Sequence, residues 1–257
     1  PQVNQCSNCD FIANSPTEYV YAVGRLRPHF PTLGLEKEYE AVARINNANI
    51  DLILKKVTAE LAKLGQLRKQ VDNHNISAKS LISYFSRINA DLINIILPTI
   101  KLANKDKLTN LLQSYYNLVQ AKELAGLERA LVAGILNSAS ITVEQNKQYI
   151  SLLAVQSAYL KTFVQLSSKP LLLFFNQAVD HPATEQVLEL RKAIMNGMAI
   201  TSIGTNSVQW FDNATLRINQ LKKVEDQVTT EVQKILHQLP KKPDFSLLFS
   251  ILFILLP

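Results

Sequence analysis

Two arginines and a lysine stand where helical periodicity would bury them. Tyr115, Leu118, Lys122, Ala125, Arg129, Val132 and Leu136 recur at steps of three and four, so a helix through them carries all seven on one face. Two cations therefore interrupt a core-facing stripe. A long cation on such a face must be paired or must snorkel to solvent, because an unpaired buried charge costs several kcal/mol. Ala125, Gly126 and Ala133, three or four positions from Arg129, add little bulk and leave room for a partner helix or a small anion. A planar oxyanion suits a guanidinium fork, whose parallel N–H donors meet two oxygens at once. Trp210, Ala214, Arg217, Leu221, Val224 and Val228 repeat the arrangement near the carboxyl end, making Arg217 a second candidate. The alternative is that Arg129 and Arg217 pair with carboxylates such as Glu123, Glu128 or Glu225 and set the register of packed helices.

Other reactive residues form no working set. Cys6 and Cys9, in Cys6-Ser7-Asn8-Cys9, are half a zinc site with His29 as the nearest further ligand, or else an exposed thiol pair. His74, His181 and His237 are scattered singly. The acidic pairs Glu36 with Glu38 and Glu225 with Asp226 read as solvated helix faces rather than acid/base dyads. There is no phosphate-binding glycine loop and no Ser/His/Asp arrangement, so neither catalysis nor a cofactor is expected. The formal charge of +6 and pI of about 9.2 favour an anionic partner. No Lys/Arg-rich run with interleaved aromatics appears, and nucleic acid is not the expected one.

The elements that must position these residues are helices. With 257 residues, 47% of them hydrophobic, and only 7 Gly, the chain can bury a core without disulfides or metal. Residues 1–35 hold Pro16, Gly24, Pro28, Pro31 and Gly34 and read as a loop-rich lead-in. Helical periodicity follows over residues 36–71, 78–103 (kinked or ended early by Pro98), 105–136, 142–178 (bent at Lys169-Pro170), 184–196 (stopped at Gly197) and 206–237. Thr142 opens the fourth of these, with Glu144 in its first turn.

Long helices joined by short polar turns predict an all-α fold: an antiparallel four-helix-type bundle, or a partial double bundle, over residues 36–238. Residues 239–257 read as a linker and the start of a transmembrane helix, since 245–256 is almost wholly apolar but supplies only about 12 of the roughly 20 residues a span needs. A buried helix end is the alternative. The chain begins at Pro1 and stops within this apolar run, as a fragment of a larger protein would. Membrane attachment with the bundle outside the cytoplasm is the expectation. Lys241 and Lys242 oppose that orientation, which keeps a cytoplasmic location as the alternative.

The wording of the third periodic run adds to its spacing. YNLVQAKELAGLERALVAGIL, residues 116–136, resembles the K-E-x-A-G-x-E-R-A motif of the nitrate- and nitrite-sensing domain family. LGQLRKQVD (64–72), SYFSRINADLINII (83–96), QSAYLKTF (156–163) and QWFDNATLRINQLKKVEDQV (209–228) are similar to its other helices, so the resemblance covers about residues 55–237. It implies an all-helical, non-enzymatic sensor of paired bundles, a homodimer that binds nitrate or nitrite and drives an output module such as a chemoreceptor, kinase, cyclase or antiterminator. It also implies ligand binding by arginines of E-R-G/A motifs in both halves. Arg129 matches the second motif, with Lys122 and Arg217 as further candidates. The first, an E-R-G run near the domain start, has no counterpart in this sequence. Residues 18–39, EYVYAVGRLRPHFPTLGLEKEY, resemble instead a short segment of cyanobactin-maturation proteins. The competing expectation is a ligand-free helical dimerisation scaffold or spacer.

Overall fold

Short polar side chains start most of the helices by accepting the backbone N–H groups that a first turn leaves unpaired. The structure, a computed structural model, describes residues 47–103 and 106–238. Asn47 accepts from the N–H groups of Asn49 and Ile50 to open α1 (Ala48–Leu61). An irregular turn separates it from α2 (Leu64–Asp72). Ser77 caps α3 (Ala78–Asn94), and α4 (Ile96–Leu102) follows after a break at Ile95. Pro98 explains that break, because it has no N–H to give the Asn94 carbonyl four residues back.

The 33-residue α5 (Asp106–Ser138) is the longest element, and α6 (Val143–Leu166) opens with a reciprocal box between Thr142 and Gln145. The expected bend at Lys169-Pro170 is a full break: Ser167 and Ser168 are extended, and Ser168 caps α7 (Lys169–Val179). His181 caps α8 (Pro182–Met195) through Nδ1, and Gly197 adopts φ 72 just past its end. After a 3-10 turn (Ile200–Ser202), Asn206 and Gln209 box the start of α9 (Ser207–His237). Among the described residues there is no strand.

Two packed bodies result. Helices α1 to α3 close over Ile50, Leu54, Val57, Ile88 and Leu92. Helices α5, α6, α9 and the pair α7–α8, which together make a fourth rod, form an antiparallel bundle. Its core has two apolar halves. Leu112, Leu118, Phe163, Leu171, Val228 and Val232 fill one end, and Val132, Tyr149, Val187, Leu190 and Trp210 the other. Between them, at the level of Glu128, Gln156 and Arg217, the buried side chains are polar.

The expected membrane attachment, with the bundle outside the cytoplasm, is corrected here: no helix of the described residues is long and apolar enough to cross a membrane. The long helices carry charge throughout, as with Lys122, Glu123, Glu128 and Arg129 in α5, and the apolar α7 has 11 residues where a span needs about 20. Residues 245–256, on which that expectation rested, lie outside the described residues, as do the lead-in 1–35, Cys6, Cys9 and His29.

Candidate anion site

The E-R-A turn of α5 is fastened to the first turns of α9 by three contacts. Arg129 Nη1 donates to Thr215 Oγ1 at 2.7 Å, and its guanidinium carbon lies 4.4 Å from the centroid of the Phe211 ring. Phe211 and Thr215 share a helix face at a step of four, and Thr215 Oγ1 donates back to the Phe211 carbonyl at 2.8 Å. Behind them the fully buried Trp210 donates its indole N–H to the Arg129 carbonyl at 2.9 Å. The two motif segments thus meet: K-E-x-A-G-x-E-R-A supplies the arginine and W-F-x-x-x-T the ring, the hydroxyl and the indole. Arg129 is half-buried, and a Cβ built on Gly126, three positions before it, would meet nothing within 4 Å beyond its chain neighbours and the backbone of its own helix. A half-buried guanidinium keeps part of its surface accessible, which the approach of a flat anion requires.

The other two cations do not join it. Lys122 forms an ion pair with Glu225, which is wholly buried, and Lys222 stands 3.5 Å from the second oxygen of the same carboxylate. Glu225 is therefore no solvated face residue, contrary to the sequence expectation. The stripe of Leu221, Val224 and Val228 rotates it inward. Beside it the Tyr115 hydroxyl is pushed well above its ordinary pKa, first by burial and then by the Glu225 charge.

Arg217 is buried among the core side chains, as its stripe predicts. Two residues along a helix turn it about 200°, so it projects away from the Thr215 face that holds Arg129. Its Nη2 donates to Gln156 Oε1 at 3.0 Å. Burial, and secondly the Arg191 charge, bring its pKa down to about 10 against the counteracting pull of Glu128.

The carboxylates suggested as arginine partners bond to other residues, although the Glu128 charge also acts on Arg217. Arg191 of α8 grips Glu128 with Nε to Oε1 at 2.6 Å and Nη2 to Oε2 at 2.5 Å, while Gln156 Nε2 adds a bond at 3.2 Å. Glu123 accepts from Asn89 Nδ2 at 3.0 Å. Sequence reasoning missed Arg191 and Gln156. Gln156 was visible as a polar intruder in the stripe Tyr149, Leu152, Phe163. Arg191 flanks Val187, Leu190 and Ile194 and gives no comparable signal.

Comparisons with known proteins identify the family and the fold. The family model described as nitrate and nitrite sensing matches residues 34–233, which carries the match further toward the amino end than the motif resemblance did. The cyanobactin-type likeness of residues 18–39, outside the described residues, finds no support. The nitrate regulatory protein of Klebsiella oxytoca is 28% identical over 166 residues, covering 65% of this chain and 41% of that protein. A solved structure of the NasR transcription antiterminator superposes with a TM-score of 0.70 at 23% identity, covering 82% of this chain and 58% of the other, which establishes the shared fold. The chain thus spans about half the length of these relatives.

Proposed function

The chain belongs to the nitrate- and nitrite-sensing domain family, and we propose that it is a non-catalytic sensory module in which nitrate or nitrite settles against Arg129 and changes how α5 packs on α9. The observation that carries this reading is the position of the half-buried Arg129 guanidinium, stacked on Phe211 and bonded to Thr215 of α9. An anion that takes up two parallel N–H donors competes with the Thr215 hydroxyl for one of them. Ligand binding and the α5–α9 contact are then linked, and a difference in affinity between two packings is what lets a ligand shift a conformational equilibrium. Helix α9, 31 residues long, is the element that would pass the change toward an output domain. In this reading Lys122 and Arg217 add positive field to the bundle without touching the ligand, because Lys122 is tied to Glu225 and Arg217 faces away.

Titration calorimetry with nitrate and with nitrite tests the proposal. The unaltered chain should bind, and Arg129→Ala should bind at least roughly tenfold more weakly, the loss expected from a charge-assisted hydrogen-bond pair. No heat from the unaltered chain sinks the reading. One observation favours a second reading: with no E-R-G run anywhere in the sequence, half of the family's arginine set has no counterpart. A ligand-free dimerisation scaffold would show concentration-dependent association in sedimentation runs and identical behaviour with and without nitrate.

A further inference from the structure

The polar layer that divides the carboxy-terminal core is out of charge balance. One carboxylate, Glu128, faces two guanidiniums, Arg191 and Arg217, and Glu128 and Arg191 are the charges among the described residues that act on Arg217. Arg217 is 7% exposed, yet its single hydrogen bond goes to a neutral amide oxygen, Gln156 Oε1, which Arg191 Nη2 already claims at 2.6 Å. Five N–H groups of a buried guanidinium thus share one acceptor, and such a charge is costly without an anion to meet it. Tyr149, next to the layer and under the influence of both Glu128 and Arg191, keeps a buried hydroxyl with no hydrogen-bond partner among the described residues.

On the α6–α8 side the layer opens to a cleft of about 340 Å³, lined by Gln156 and Arg191, by the exposed Lys161, and by Leu160, Val164 and Phe175. Among the described residues, Arg191 Nη1 and Lys161 Nζ make no hydrogen bonds. The cleft is larger than an inorganic ion requires and lies in the range that holds small organic ligands.

We propose that this cleft is a second anion site, separate from the Arg129 surface, which takes a small monocarboxylate with a short apolar body. The carboxylate is bonded by Arg191 and Lys161, its charge balances the one that Arg217 leaves buried, and its hydrocarbon body lies on Leu160, Val164 and Phe175. A monovalent ligand matches the single unbalanced charge. An apolar body distinguishes it from nitrate, which would leave that wall unused.

Thermal-shift and calorimetric titration with sodium butyrate, against sodium chloride at equal ionic strength, tests this on the full chain and three variants. Butyrate should raise the melting temperature of the unaltered chain and of Arg129→Ala alike. Lys161→Glu, an exposed substitution that leaves the fold alone, should weaken binding roughly three- to tenfold, as reversal of a rim charge does. Arg217→Met removes the unbalanced charge, so it should melt no lower than the unaltered chain and lose the butyrate response. No butyrate effect beyond chloride, or an effect that Arg129→Ala abolishes, or one that Lys161→Glu and Arg217→Met both leave intact, overturns the proposal. Nitrate titration of the same variants keeps the Arg129 reading separately testable, since nitrate binding should be lost in Arg129→Ala and kept in Lys161→Glu.

Discussion

In the amino-terminal helices Lys56 meets Asp91 at 2.8 Å and Lys63 meets Glu60 at 2.7 Å, and both lysines are more than half exposed. In the carboxy-terminal bundle Glu128 and Glu225 lie wholly inside, each held by cations from other helices. Rim pairs gain and cost little, because water screens them. Interior pairs must repay the loss of solvent, and replacing them with apolar residues is often neutral or stabilising. An apolar core like that of α1 to α3 would therefore serve if packing were the only requirement on α5 to α9. The interior charges lie in the same half as the contacts of Arg129 with Thr215 and Trp210 that join α5 to α9, so the half that carries buried charge is also the half that holds the proposed anion site.

The largest effect is expected of Glu128→Ala. It leaves Arg191 and Arg217 facing each other across Gln156 with no anion between them. Loss of one partner from a buried pair costs about 3 to 5 kcal/mol, and urea unfolding should show a midpoint lowered accordingly. A loss under about 1 kcal/mol, the range of exposed pairs, would mean that the layer is solvated and that the two halves do not differ.

Much of this arrangement was legible in the residues. The stripe through Trp210, Ala214, Arg217, Leu221, Val224 and Val228 is buried throughout, and Thr142 and Gly197 bound helices as their types require. Leu61 and Leu64 continue the apolar steps across the irregular turn between α1 and α2, so that break left no local mark. The Glu128–Arg191 grip joins side chains 63 positions apart. Its register depends on how α8 sits against α5, which periodicity within either helix does not encode. Glu225 could have been found, since one position after Val224 and three before Val228 is inside the core stripe. Its neighbour Asp226 drew the pair toward a solvated reading.

Two tyrosines should answer the same substitution with opposite signs. Tyr84 donates its hydroxyl to the Glu60 carbonyl at 2.5 Å, whereas the Tyr149 hydroxyl is buried without a partner. Tyr84→Phe should lower stability by about 1 kcal/mol, and Tyr149→Phe should leave it level or raise it by a similar amount, since it removes an unmet polar group. Burial, as the first cause, raises both hydroxyl pKa values above 10.0. The stability this represents is complete below the unfolded value and is lost as pH rises through the folded ones. Tyr149, shifted further, should therefore ionise after Tyr84 in an alkaline absorbance titration. A common midpoint would show that the two cores are equally wet.

The smallest effect belongs to the rim. A double-mutant cycle on Lys56 and Asp91 should give a coupling of about 0.2 to 1 kcal/mol that fades as salt is added, because Lys56 is held in water at the side of α1. The cycle on Lys122 and Glu225 should exceed it and persist in salt, since the Glu225 carboxylate has no solvent contact through which ions could screen it. Equal couplings, or equal salt sensitivity, would show that exposure of one partner is enough to screen both pairs. The buried charges of α5 and α9 would then give no more positional specificity than the surface ones do.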